Sequence, residues 1–257
     1  PISVNIDDVW SDPRITLPFN FCFYDQQYTD LLVSSNGAIT FDMGNINHNG
    51  TNTVGGGVAE PADVCPWEFN LAIPNPQFPA TNIQKKILNA IFGVFHDIDP
   101  SEGGNISWEV FDAYPCRVFV VSYYQVPLFE CTDVRSTFQM VLYESTNIIE
   151  VYIENKASCP TWNNGHSLIG LQNANGTEGI AAENRNTGNW ETQNEAWRFS
   201  PSGGTSDIQF TWYDVTNGNQ VISTDSEIMV CPTTSNTYSL EVQYNLCNGN
   251  VVVATDT

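Results

Sequence analysis

Short runs rich in Val, Ile, Phe, Tyr and Trp recur along this chain, separated by Asn, Gly, Pro, Asp and Ser, and no long stretch carries a helical period. The pattern predicts an all-β protein. Its clearest strands fall at residues 19–24, 30–35, 38–41, 90–95, 106–111, 117–124, 138–143, 148–153 and 167–172. Ser35-Asn36-Gly37 reads as a tight hairpin turn, because Asn and Gly tolerate the positive φ that primed turns require. Residues 81–89 are expected to form a short helix. Residues 44–82 otherwise make a long Gly-, Asn- and Pro-rich excursion, an elaborated surface loop or a binding loop.

The pattern breaks at Ser200-Pro201-Ser202-Gly203-Gly204, and a fresh series of strands follows at 208–213, 227–230, 237–244 and 251–254. Two domains are therefore expected: a large, jelly-roll-like β-sandwich over 1–200 and a small Ig-like sandwich over 201–257. In the second, Trp212 on an early strand and the run Cys231 to Tyr238 before an alternating strand fit the economy of an Ig-like module.

Composition narrows the function classes. The 257 residues hold 8 Lys plus Arg against 29 Asp plus Glu, a formal net charge of −21, with 41% hydrophobic residues. That apolar content supports a sizeable core, while the polyanionic surface opposes nucleic-acid binding and docking on anionic lipid and attracts divalent cations. No apolar run is long enough to span a membrane, so no membrane insertion is expected. The chain opens at Pro1 without a signal-like segment and stops in a strand-like run, and is expected to be an exported piece of something longer. Seven cysteines without a CxxC pair point to disulfides in an oxidising compartment.

Two blocks go further. Leu17 to Asp25 followed by Leu31 to Phe41 resembles the opening of nidogen-like extracellular domains, and Phe95-His96-Asp97-Ile98-Asp99-Pro100-Ser101-Glu102-Gly103-Gly104 resembles their acidic second block. Together with residues 138–154, Trp162-Asn163-Asn164-Gly165 and Gly170-Leu171-Gln172-Asn173, they look like the repeat-rich surface proteins of gliding Bacteroidetes. That resemblance implies a module of an adhesin or surface filament, often followed by Ig-like or PKD-like repeats and a type IX secretion signal. It supplies no catalytic residues.

Among candidate ligand sites, Asp97, Asp99 and Glu102 leave a hydrophobic strand beside a Gly-Gly turn and could gather the oxygen ligands that calcium takes, as a structural ion. The competing reading is an Asp-Pro turn whose carboxylates accept backbone N–H groups. Asp7 with Asp8, and Asp25 with Asp30, are alternative acidic pairs read as solvated. His96 beside the two aspartates raises a metal-dependent hydrolase, but His48 and His166 lie in unrelated loops and no catalytic motif accompanies it. Trp162, Asn163 and Asn164 are the best candidates for binding a sugar, an aromatic plate with amides beside it; Trp67, Trp108 and Trp190 are others, with core packing the alternative for each. Trp197 and Trp212 are assigned to cores.

The cysteines can be paired in part. Residues 138–143 and 148–153 flank the polar turn Glu144-Ser145-Thr146-Asn147, so they should pair as a hairpin in which residue numbers sum to about 292. Extended outward, that register sets Cys131 near Cys159, within reach of a disulfide. Cys231 and Cys247 bracket a strand and are expected to form a second bridge, which leaves Cys22, Cys65 and Cys116, at least one of them free or paired outside this chain, with Cys22, inside an apolar strand, the first candidate for a buried thiol. The expected function is extracellular adhesion at a bacterial surface through loops that bind a glycan or another polymer, with adjacent Ig-like repeats as neighbours. A non-binding stalk is the alternative, and a secreted hydrolase the third.

Overall fold

The computed structural model describes residues 6–11, 13–43, 52–54, 58–60, 65–67, 71–76, 87–201, 209–245 and 251–257. The chain order is β1 (Ile15–Phe23), β2 (Gln26–Val33), β3 (Ala38–Thr40), β4 (Asn52–Val54), β5 (Val58–Glu60) and β6 (Ala90–Phe95). There follow β7 (Asn105–Phe111), β8 (Val118–Leu128), β9 (Cys131–Tyr143), β10 (Ile149–Lys156), β11 (Leu168–Gln172) and β12 (Gly179–Ala181). The last are β13 (Thr192–Phe199), β14 (Gln209–Asp214), β15 (Gln220–Ser223), β16 (Tyr238–Asn245) and β17 (Val251–Asp256). The protein is all-β, as the two-residue period predicts.

One sheet has the order β1-β2-β3-β6-β11-β12 and a second has β13-β10-β9-β8-β7, with every pairing antiparallel. Alternation decides which side chains go inward. On β1, Ile15, Leu17, Phe19, Phe21 and Phe23 are buried while Thr16, Pro18 and Asn20 face out. On β8, Phe119, Val121 and Tyr123 point the other way to meet them, and this shared apolar layer makes the sandwich. Each such side chain stabilises the fold by roughly 1.5–3 kcal/mol when fully buried.

The first sheet is covered on its other face too. All six residues of β6 are buried, and Leu32, Ala38, Ala90, Phe92, Phe95 and Leu168 pack on that far side with Trp10, Cys65, Ile73 and Ile87. A central strand buried on both faces cannot alternate, which is why Ala90-Ile91-Phe92-Gly93-Val94-Phe95 reads as a continuous apolar run. Cys65 and Ile73, from the long excursion, therefore help to roof the sheet.

The β9–β10 hairpin has nearly the expected register. Pairs run from Ile149 opposite Leu142 to Ile153 opposite Phe138, one short of the expected sum, and a bulge brings Asn155 opposite Thr137 onto it. One expectation about topology changes. A jelly roll alternates strands between its sheets, whereas β7 to β10 are consecutive neighbours in one sheet because short turns join them. The helix expected at 81–89 lies outside the described residues over 81–86, and 87–89 is not helical.

Downstream of Ser200, the described residues form one four-stranded antiparallel sheet, β15-β14-β16-β17, whose strands pair only with one another. Here the cysteine expectation fails. Cys231 is a free, exposed thiol, and Cys247 lies outside the described residues. Cys22, read as a thiol, is disulfide-bonded instead.

The β2–β3 turn is the tightest point of the first sheet. Gly37 has φ +85°, and a Cβ there would overlap the Val94 carbonyl oxygen of the neighbouring β6. Gly37→Ala should therefore destabilise the protein by at least about 2 kcal/mol in urea unfolding. A second expectation concerns Lys156, 1% exposed at the end of β10. Its Nζ donates to the Trp190 carbonyl at 2.6 Å and lies 4.6 Å from that indole's centroid. Burial pushes its pKa down to about 7, with Glu191 resisting and Arg185 assisting. The unfolded chain keeps this proton up to about pH 10.5 while the folded chain releases it from about 7, so folding gains stability as pH rises through that window. Unfolding curves from pH 7 to 10 should show the wild type gaining on Lys156→Met by on the order of a few kcal/mol.

Candidate functional site

A turn that joins two strands normally lies in solvent, but Ser34, Ser35 and Asn36 are fully buried. Their polar groups must find partners inside the protein, and those partners build the site. Ser35 N donates to the Val9 carbonyl at 2.8 Å and Val9 N to Ser35 Oγ at 3.0 Å, so residues 9–11 lie along the turn like an added strand. Asn36 spans both sides. Its Nδ2 donates to Asp8 Oδ1 at 2.8 Å and to the Pro66 carbonyl at 3.3 Å, while its Oδ1 accepts from Ile98 N at 3.1 Å. Only Gly37 takes positive φ here, so Asn36 is required for this bridging rather than for the primed turn that its type suggested.

The segment leaving β6 is thereby held beside the Asp7–Asp8 segment. Asp97 and Asp99 are 8% and 7% exposed. Asp97 Oδ2 accepts from Trp162 Nε1 at 2.6 Å and Asn163 Nδ2 at 3.3 Å, whereas its buried Oδ1 has no hydrogen-bond partner among the described residues. Asp7 Oδ1 is buried and unpartnered in the same way. One carboxylate oxygen each from Asp7, Asp8 and Asp97 lie within 4.8 Å of one another.

Crowding of like charges shows in the electrostatics. Burial, then the Asp8 charge, push the Asp97 carboxyl up to about 8, with Asp7 and Asp99 adding to the rise against the Trp162 hydrogen bond. Burial and the Asp99 charge push Asp7 up to about 6. None of the four described ion pairs reaches Asp7 or Asp97. His96 takes no part: Val94 O lies 2.9 Å from Nδ1, so that nitrogen carries the proton, and Nε2 accepts from Ser136 Oγ at 3.1 Å. Burial and the Lys156 charge push its pKa down to about 3.

The expected acidic trio is thus divided. Asp97 faces the cluster, but Asp99 accepts from Ser101 N at 2.8 Å and Ser101 Oγ at 2.5 Å, capping the 3-10 turn Pro100–Glu102, and Glu102 is exposed. For Asp99 the turn chemistry wins. Asp7 and Asp8, read as solvated, are half-buried and belong to the cluster. Sequence spacing gave no sign of this, because the contact depends on residues 9–11 pairing with a turn some 25 residues downstream in the chain.

The expected sugar-binding loop proves to be part of the same place. The Cys131–Cys159 disulfide forms, with Cα atoms 5.9 Å apart, and pins the 3-10 turn Asn163–Gly165 beside the start of β9. Trp162 packs on Phe129 with ring centroids 5.0 Å apart and gives its N–H to Asp97, so the indole positions the acidic cluster and is half-buried. Asn163 is committed likewise, and Asn164, at φ 52°, is exposed. Other tryptophans are also occupied: Trp108 packs on Phe119, and Trp190 carries Lys156 and Arg185 over its ring. Trp197 and Trp212 are half-buried.

With this geometry, one comparison with known proteins is informative: a family model described as NIDO related matches residues 1–212. The chain belongs to that family. Membership makes it an extracellular, adhesion-type module, and the nidogen-like resemblance of the two strand blocks holds. No curated protein and no solved structure matches. No helix among the described residues is long and apolar enough to cross a membrane.

The disulfide closes a loop with a sequence separation of 28, for which chain entropy alone gives about 3.5 kcal/mol. Replacing both Cys131 and Cys159 by Ser should lower stability by roughly 2–4 kcal/mol in urea unfolding. Non-reducing peptide mapping should recover the two residues in one linked peptide; recovery as separate alkylated peptides would show that the bridge is not formed.

Proposed function

We propose that this NIDO-related chain binds a surface glycan or polymer through the loops gathered at its acidic end, acting by passive recognition rather than catalysis. The observation that carries the reading is convergence. Three segments distant in sequence, at Asp7–Asp8, Asp97–Glu102 and Trp162–Gly165, are fixed at one place by buried hydrogen bonds and a disulfide. Loops held on a rigid β scaffold are where recognition sites concentrate. Exposed Asn164 and Glu102 are among the side chains this end offers to a partner. The inertness of His96, both of whose ring nitrogens are engaged, supports binding over hydrolysis.

The setting we propose is the surface of a bacterium, within a longer protein exported by type IX secretion, with residues 201–257 as the Ig-like module that meets neighbouring repeats. The order of the motifs over residues 1–200 supports it. A spacer role is the second reading, favoured by the internal commitment of Trp162 and Asn163.

A glycan array probed with the full chain, with and without EDTA, separates the two. Adhesion predicts selective binding that Asn164→Gly, which suits the positive φ, weakens at least about fivefold. Absence of binding to every glycan and to purified surface polymers would leave the spacer reading standing and remove the first.

A further inference from the structure

Beyond the acidic cluster itself, two observations bear on what completes it. Asp97 is 8% exposed, and its two oxygens are treated differently: Oδ2 has two donors, whereas the buried Oδ1 has none among the described residues. Asp7 Oδ1 repeats the pattern from the opposite segment. A buried carboxylate oxygen without a donor loses its water and receives nothing in return, which destabilises the fold unless something else meets it. Two of them in one cluster describe a place suited to a positive charge that no described side chain gives to Asp7 Oδ1 or Asp97 Oδ1.

We infer that Asp7, Asp8 and Asp97 bind a hard divalent cation, calcium, which clasps the Asp7–Asp8 segment to the loop leaving β6. The donor set decides the class of ion. Every available atom is a carboxylate oxygen, the preference of calcium and magnesium. Softer metals would want His or Cys, but His96 has both nitrogens engaged, and the nearby Cys65 thiol is buried and receives hydrogen bonds from Ser34 at 3.1 Å and Asn36 at 3.5 Å. Three carboxylates from two separate segments, two of them half-buried, leave room for water and for irregular coordination, which calcium accepts and magnesium resists. Asp97 is held in place for this by Trp162 and Asn163, so these two residues act as positioning groups for a ligand. The expected calcium site is therefore kept as to its ion, and its residues change: Asp99 and Glu102 drop out, Asp7 and Asp8 enter.

This inference stands apart from glycan binding, and its test does not use a glycan. The full chain is stripped with EDTA, dialysed, and its thermal unfolding followed without metal, with about 5 mM calcium chloride, and with the same magnesium chloride, alongside calorimetric titration with calcium. Calcium should raise Tm by about 3–5 °C and titrate at a single site. Asp7→Asn should abolish both responses while leaving the metal-free Tm unchanged or higher, since it removes a charge from the cluster. Glu102→Gln should respond as wild type. Asp97→Asn also touches the Trp162 contact, so Asp7→Asn is the deciding variant. No calcium response in the wild type, a full response in Asp7→Asn, or loss of response in Glu102→Gln would each overturn the assignment, and a rise with magnesium alone would overturn the choice of ion.

Discussion

Everything at the acidic end depends on a hairpin turn that is buried. Ser34, Ser35 and Asn36 sit between the first sheet and its outer covering, where no water can satisfy them. Tyr123 Oη, from the opposite sheet, donates to the Ser34 carbonyl at 2.7 Å; Gly93 N donates to the Gly37 carbonyl at 3.0 Å; His96 N donates to the Asn36 carbonyl at 3.2 Å. Each is a net contribution of only about 1 kcal/mol, but leaving any one unmade costs more than making it contributes. The turn is thus a constraint first and a source of stability second: it fixes where three other segments can run.

That constraint explains why the site has the composition it does. Asn36 is the side chain that can donate twice and accept twice, and here it touches Asp8, Pro66 and the Ile98 amide together. An aspartate in its place could not donate to Asp8 or to the Pro66 carbonyl. The neighbouring glycine lets the turn close against β6, and Gly93 lets the two sheets approach at Met140, where a Cβ would collide with the Met side chain. Small residues at these positions set the spacing between layers, and the spacing brings Asp97 under the Trp162 loop.

What could be read from sequence was whatever has a short period. Alternation along β1 and β8, the apolar run of β6, and the register of β9 with β10 were legible, and the register carried far enough to pair Cys131 with Cys159. β9 begins earlier than its pattern suggested, because Thr132, Asp133 and Val134 are all exposed and show no alternation. The site was legible only in pieces. Asp97 and Trp162 each stood out, yet nothing in their spacing says that one donates a hydrogen bond to the other's carboxylate across 65 positions. The Cys231–Cys247 expectation does not hold at Cys231, which is a free, exposed thiol.

The same distances along the chain bear on how the molecule comes to be. Trp162 to Asp97, Tyr123 to Ser34 and Asn36 to Ile98 join positions 65, 89 and 62 apart. Contacts of that range form only after the intervening loops have closed, which makes sandwiches of this kind slow folders. The acidic end takes contributions from near the start of the chain, from β6 and from the segment after β10, so it exists only once both sheets have met. No one of these segments forms the acidic end alone. Possession of that end is thereby a marker of maturity, and a partner that recognised it would ignore chains still on the way.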